Sequence, residues 1–280
     1  MAFRDGYHDF SIQTGGIEVY PRLIAAQHLE SHAEENVPSD VPHLDALLGG
    51  GVDRGSSLLI IGAAGVGKST LATQYAVAGG RRGEKAVVFI FDETVWTYRA
   101  RAEKLGFPMT ALVADETLTL RQIDPAEVSA GQFTNMVMQA VDGGVRTVVI
   151  DSLTGYLNTM PEERFLVAYL HELLTTLSHK NVVTILTLAQ HGLVGEHEVD
   201  RRQNRGIQAD RGDVAFDRVL AVEVWNARVG IGRADGGEDE MDPGRFGRVR
   251  GGDALPGLGV RAFRRRCDRE EGGRLFECLG

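Results

Sequence analysis

Lysine is the rarest charged residue of this sequence: Lys68, Lys85, Lys104 and Lys180 are the only four, so its basic side is carried almost entirely by arginine. The formal net charge of -9 argues against a surface built mainly to hold nucleic acid, although a local basic loop is compatible with it. Cysteine is nearly absent. Cys267 and Cys278 both fall near the C-terminus, which leaves neither a disulfide framework nor a Cys-x-x-Cys metal knuckle. No hydrophobic run approaches the length of a membrane span, and Met1, Ala2, Phe3, Arg4 and Asp5 lack the apolar segment of a signal peptide. The expected location is the cytoplasm, and no membrane partner is expected. What the chain does have is 43% hydrophobic residues in 280 positions, enough to bury a sizeable core in one large domain or in one domain with appendages.

Near-continuous apolar runs alternate with amphipathic stretches from about residue 40 to about residue 195. Strands are expected over 58–61, 86–91, 117–123, 147–151 and 182–188, and helices from 71, over 94–105 and over 127–141. A further helix is expected to start at Thr159, Pro161 and Glu162, as N-cap, first-turn proline and capping-box acid, and to bury Leu166, Tyr169, Leu170, Leu173, Leu174 and Leu177 on one face. This order describes an α/β domain, a mainly parallel sheet covered by helices on both sides. Residues 1–39 read as an extended segment with a turn at Gly15 and Gly16 and no partner strand nearby in sequence, followed by a short helix and a linker. After about 195 the pattern degrades into a Gly/Arg/Asp-rich tail, locally basic, in which only 219–225 still resembles a strand.

The stretch Gly62, Ala63, Ala64, Gly65, Val66, Gly67, Lys68, Ser69, Thr70 sits between the strand at 58–61 and the helix from 71. Glycines at this spacing let a loop curl and turn its N–H groups toward an anion at a helix N-terminus. Lys68 then reaches the outer phosphates of a nucleotide, and the Ser69 hydroxyl is placed to ligate a metal. Phosphoryl chemistry also needs an acid that orders the metal and a base that activates the nucleophile. Asp151, a carboxylate ending an apolar strand, suits the first role, against the alternative of a helix cap or loop acid. Asp92 and Glu93 end the preceding strand on the same edge, and Glu93 is the preferred base because neighbouring side chains diverge there. The alternative is that both merely cap the helix at Thr94. Gln190 ends the last clear strand, where its amide is placed to sense the γ-phosphate. His191, Glu196, His197 and Glu198 lack the spacing of a metal site, and no Gly-x-Ser-x-Gly elbow is present.

Several of these pieces together resemble the RecA superfamily and, within it, the KaiC-like ATPases: Leu44, Asp45, Leu47 and Leu48 followed by three glycines, the loop through Thr70, Phe91-Asp92-Glu93, Val148 to Leu153, and Leu188-Ala189-Gln190-His191-Gly192. The resemblance implies a RecA-like P-loop NTPase fold, ATP and Mg²⁺ as ligands, and hydrolysis with Asp92 and Glu93 as the acidic pair. It also implies a homo-hexameric ring with ATP between protomers, and a regulatory or signalling role with signalling proteins as partners, as in circadian clock proteins. Two alternatives of other classes stay open: a serine/threonine autokinase of a signalling ring, and a non-catalytic assembly or DNA-associated module.

The chain departs from the family at both ends. Residues 3–10 and 19–23 look like the last strand of a first domain and its linker, so the chain is expected to be the second half of a tandem protein. The family continues, beyond the core, into strands that carry a lysine-rich element touching the neighbour's ATP, whereas here no lysine follows Lys180. A change of reading frame between about 195 and 215 is the expected cause of the Arg/Gly-rich tail. Loss of such a trans-acting cation typically removes about 10³ to 10⁵ in phosphoryl-transfer rate.

Overall fold

The structure, a computed structural model, describes residues 8–24, 35–157, 163–189, 219–226, 248–250 and 258–264. It opens with a hairpin of β1 (Asp9–Gln13) and β2 (Gly16–Tyr20), in which Asp9 pairs with Tyr20 and Gln13 with Gly16. This corrects one expectation. The extended N-terminal segment does have a local partner, itself, because Gly15 and Gly16 take φ of 110° and 143° and let the chain reverse within two residues. The Asp9 carboxylate then accepts a hydrogen bond from the Gly131 N–H at 2.7 Å and anchors the hairpin to the body of the protein.

Next come β3 (Asn36–Val37), α1 (Pro42–Leu47) and β4 (Val52–Asp53), with β3 and β4 pairing as a small antiparallel ladder. The core elements follow in order: β5 (Ser57–Gly62), α2 (Lys68–Arg81), β6 (Lys85–Ile90), α3 (Val95–Lys104), α4 (Met109–Ala114), β7 (Leu118–Gln122), α5 (Ala130–Asp142), β8 (Val145–Asp151), α6 (Leu153–Leu157), α7 (Glu163–His179) and β9 (Val183–Ala189). Three more strands, β10 (Val219–Asn226), β11 (Arg248–Arg250) and β12 (Leu258–Arg264), complete a sheet of order β11-β12-β10-β5-β9-β8-β6-β7. The pairings from β10 to β7 are all parallel, and β12 and β11 extend the β10 edge antiparallel. The expected α/β fold with a mainly parallel sheet is therefore the fold observed.

Because successive strand residues face opposite sides, each apolar run feeds two cores. From β6, Ala86, Val88 and Ile90 join α2, α3 and α4 on one face, while Val87 and Phe89 join α5 and α7 on the other. The α7 residues named from periodicity, Leu166, Tyr169, Leu170, Leu173, Leu174 and Leu177, are all buried. The expected start of that helix at Thr159, Pro161 and Glu162 lies outside the described residues.

Three local differences have physical causes. The helix expected from 127 begins at Ala130, since Ser129 caps it by accepting the Gln132 N–H at 3.2 Å, and Asp124 already holds Ala126 N–H in a preceding turn. The short helices α4 and α6, of six and five residues, carry too few turns to show a period. Beyond 195, β10 pairs in parallel with β5, so part of the irregular stretch continues the sheet.

Candidate functional site

The strands β5, β9, β8 and β6 are parallel neighbours, so their C-terminal ends open on one edge of the sheet. Gly62 lies beside Ala189, and Asp151 lies beside Ile90. The loop after β5, the acidic pair after β6 and the carboxylate ending β8 are thus brought together by register, although they are up to 89 positions apart in sequence (62 to 151). Ligands of open parallel sheets bind at this edge.

The loop is shaped by its glycines. Gly65 and Gly67 have φ of 78° and 98°, and a side chain on Gly65 would meet no atom, so the conformation rather than space demands glycine there. Gly67 is the N-cap of α2, which points the free N–H groups of the first turn, including those of Lys68, Ser69 and Thr70, into the loop. Ala63, Ala64 and Gly65 form the exposed tip, and Val66 packs partly against the core. Lys68 Nζ donates to the carbonyl oxygens of Gly62 at 2.9 Å and Ala63 at 2.7 Å, which holds the ammonium at the mouth of the cradle. Burial lowers the Lys68 pKa from its ordinary value, and the negative charge of Asp151 opposes that shift.

Asp151 is buried at 7% exposure, and its Oδ1 accepts a 2.5 Å hydrogen bond from Thr187 on β9. The following peptide, Asp151–Ser152, is cis. Asp92 and Glu93 part company as expected for adjacent residues. Asp92 turns toward α6, where its Oδ1 stands 3.0 Å from the place a Cβ on Gly155 would take. Glu93 turns toward α3 and pairs its Oε1 with Arg101 Nη2 at 2.6 Å. Burial raises the Glu93 pKa from the ordinary glutamate value; Arg101 opposes that shift, while Asp151 and Asp92 add to it. Asp151 thus opposes the Lys68 shift and adds to the Glu93 shift. Thr94 also caps α3, accepting the Thr97 N–H at 3.1 Å. Gln190, His191, Glu196, His197 and Glu198 lie outside the described residues.

The sequence reading missed four contributors. Thr187 steadies Asp151 from the next strand, Gly155 makes room for Phe91 and Asp92, Arg101 holds Glu93, and Tyr98 joins α3 to α2. Tyr98, fully buried, bonds to Thr73 Oγ1 at 2.6 Å, and Thr73 Oγ1 donates to the Ser69 carbonyl at 2.6 Å. None of these carries a motif. Thr187 is detectable only from strand register, and Arg101 only from the path of the chain between β6 and α3.

The donors around the loop are hard oxygens, the Ser69 hydroxyl and the Asp151 carboxylate, which is the chemistry a small divalent cation such as Mg²⁺ accepts. Among the described residues no group of three or more His, Cys, Asp or Glu side chains could hold a metal by itself. Mg²⁺ bound by one or two protein oxygens together with phosphate is consistent with that arrangement. No helix among the described residues is long and apolar enough to cross a membrane.

Comparison with known proteins agrees with this geometry. The chain is 41% identical over 99 residues to the DNA repair protein RadA of Brucella abortus, covering 34% of this chain and 21% of that protein. It is 26% identical over 161 residues to the circadian clock oscillator protein KaiC of Picosynechococcus, covering 57% of this chain and 31% of that protein. To the circadian clock protein KaiC2 of Synechocystis it is 32% identical over 113 residues, covering 40% of this chain and 20% of that protein. The chain thus spans between a fifth and a third of these relatives' length. The model of the KaiC ATPase family matches residues 37–229, a range that takes in the phosphate loop, both acidic positions and β10. With this match over more than half its length, the chain belongs to the KaiC family of ATPases, within the RecA superfamily.

Proposed function

We propose that this chain hydrolyses ATP at the edge where β5, β8 and β6 end, with Glu93 as the base for the attacking water. The observation that supports the reading is the strand register that brings the Lys68 loop, Asp151 and the end of β6 before Glu93 to one edge of the sheet. The N–H groups of the loop and the Lys68 ammonium bind and orient the phosphates. Ser69 and Asp151 would hold Mg²⁺, which would supply neutralisation of the charge on the phosphate oxygens. Glu93 accepts a proton from water as its oxygen forms the new bond to the γ-phosphorus, and the bond from that phosphorus to ADP breaks. Asp92, turned toward α6, supports the strand end rather than the water. Gln190, the residue after β9, is proposed as the γ-phosphate sensor.

Self-association in a ring and a regulatory role in the cytoplasm with signalling proteins as partners are proposed from the family resemblance. A DNA-associated role is the second reading, favoured by the match to a DNA repair protein. The frame-shifted tail is a proposal that coding DNA tests directly: an alternative frame must spell the missing family strands. The family match itself runs to residue 229 in the given frame, past the interval from about 195 to 215 named for the shift.

The test of the main reading is turnover of MgATP by the purified chain beside Lys68→Ala and Glu93→Gln, with the oligomeric state recorded in the same samples. Loss of nucleotide binding in the first and of turnover with retained binding in the second is the expected result. Turnover indifferent to Glu93 refutes the assignment of the base. Salt-sensitive DNA binding with negligible turnover supports the second reading instead.

A further inference from the structure

We propose that Arg101 is a positioning residue for hydrolysis: its guanidinium, seated over Tyr98, holds the Glu93 carboxylate and so sets its aim at the attacking water. The inference rests on the reading of Glu93 as the base.

Geometry separates this pair from an ordinary surface ion pair. Arg99, on the same helix, pairs with Glu103 one turn along, both side chains being 40% exposed, as helix-surface pairs do. Arg101, itself 44% exposed, instead reaches back past the Thr94 cap to the end of β6, to a glutamate whose side chain is only 22% exposed, and meets it at 2.6 Å.

The arginine is itself held. Its Cζ lies 5.3 Å from the centroid of the Tyr98 ring, within cation–π range. Tyr98 is fully buried and bonded through Thr73 to the backbone of Ser69, in the first turn of the phosphate-loop helix. An unbroken line of contacts therefore runs from the helix that cradles phosphate to the carboxylate that faces water. A guanidinium fixed on a rigid ring suits an orienting role rather than that of a swinging latch. Orientation matters on this scale, since displacement of a reacting group by about 1 Å can cost about 10²-fold in rate.

The test compares the full chain with Arg101→Met, Arg101→Lys, Glu93→Gln and the Arg101→Met/Glu93→Gln pair, reading kcat and KM for MgATP and binding of ADP. Glu93→Gln is expected to lower kcat by about 10² to 10⁴, the usual contribution of a general base. Arg101→Met is expected to lower kcat about tenfold, less than loss of the base itself, with KM and ADP binding unchanged. Arg101→Lys, which keeps the charge over Tyr98, recovers most of that loss. In the Glu93→Gln background Arg101→Met has no further effect, because the arginine works only through that carboxylate. Unchanged or increased kcat in Arg101→Met overturns the proposal, as does an equal loss in both backgrounds or a loss confined to KM. If Glu93→Gln leaves kcat intact, the reading of the base has failed, and that failure is visible before Arg101 is considered.

Discussion

Thr73→Val will destabilise the protein more than Tyr98→Phe, although each removes one end of the same 2.6 Å hydrogen bond. The Thr73 hydroxyl has a single proton, which it donates to the Ser69 carbonyl, so Tyr98 is the donor in the bond between the two side chains. Burial pushes the Tyr98 phenol well above its ordinary pKa, so the proton stays on it. Removing the tyrosine hydroxyl leaves Thr73 with its donor still satisfied and only an acceptor lone pair unused, a loss of about 1 kcal/mol. Thr73→Val preserves shape but strands a phenolic O–H in a fully buried position, which costs about 2 to 3 kcal/mol. Ser69 O loses an acceptor contact as well. The double variant removes both partners and falls about 1 kcal/mol short of the sum of the singles. Urea unfolding of the four proteins, with equal slopes checked, gives the three differences directly. If Thr73→Val proves no worse than Tyr98→Phe, or if the two effects add, the assignment of donor and acceptor in this link is wrong.

Gly155→Ala will also destabilise, because the new Cβ would run into Phe91 Cβ and stand 3.0 Å from Asp92 Oδ1, with Phe91 backed by the packed rings of Phe133 and Tyr156. The cost is about 1 to 3 kcal/mol by urea unfolding, with turnover lowered because the end of β6 is displaced; a variant as stable and active as the parent would show that α6 yields freely. The pH profile of turnover tests Glu93. A base must be ionised, and here burial, with Asp151 and Asp92, raises the carboxyl above the ordinary glutamate range against the opposing effect of Arg101. Activity is therefore lost, as pH falls, earlier than for an exposed glutamate; an acid limb at or below the ordinary range refutes this account of its surroundings.

How much of this was legible in advance differs from element to element. The strand–loop–helix from Ser57 to Arg81 was readable because three local signals coincide there, an apolar run, glycines at fixed spacing and a helical period. The six buried leucine and tyrosine positions of α7 followed from a 3.6-residue period that tertiary packing did not override. By contrast, the N-terminal hairpin was read as one extended segment with a turn and no partner: its strands alternate, with Phe10, Ile12, Ile17 and Val19 on one exposed face, but alternation marks a strand without naming what it pairs with. The strand β10 was marked as a strand by its β-branched residues, yet its parallel seat beside β5 connects positions more than 150 apart in the chain (57 to 219), which no local pattern encodes.

The sequence by itself determined the kinds of chemistry present: an anion cradle with its lysine and hydroxyl, carboxylates at strand ends, and apolar runs that force a covered parallel sheet. These are local properties, set by spacing and side-chain type. Only the tertiary structure decided how the two adjacent carboxylates part, since the turn after β6 sends Asp92 to Gly155 and Glu93 to Arg101. It also decided that Thr187 holds Asp151 and that Tyr98 and Thr73 join α3 to the helix that follows the glycine-rich loop. Those contacts depend on strand register and helix docking, which are fixed by burial across the whole sheet rather than by the residues that meet.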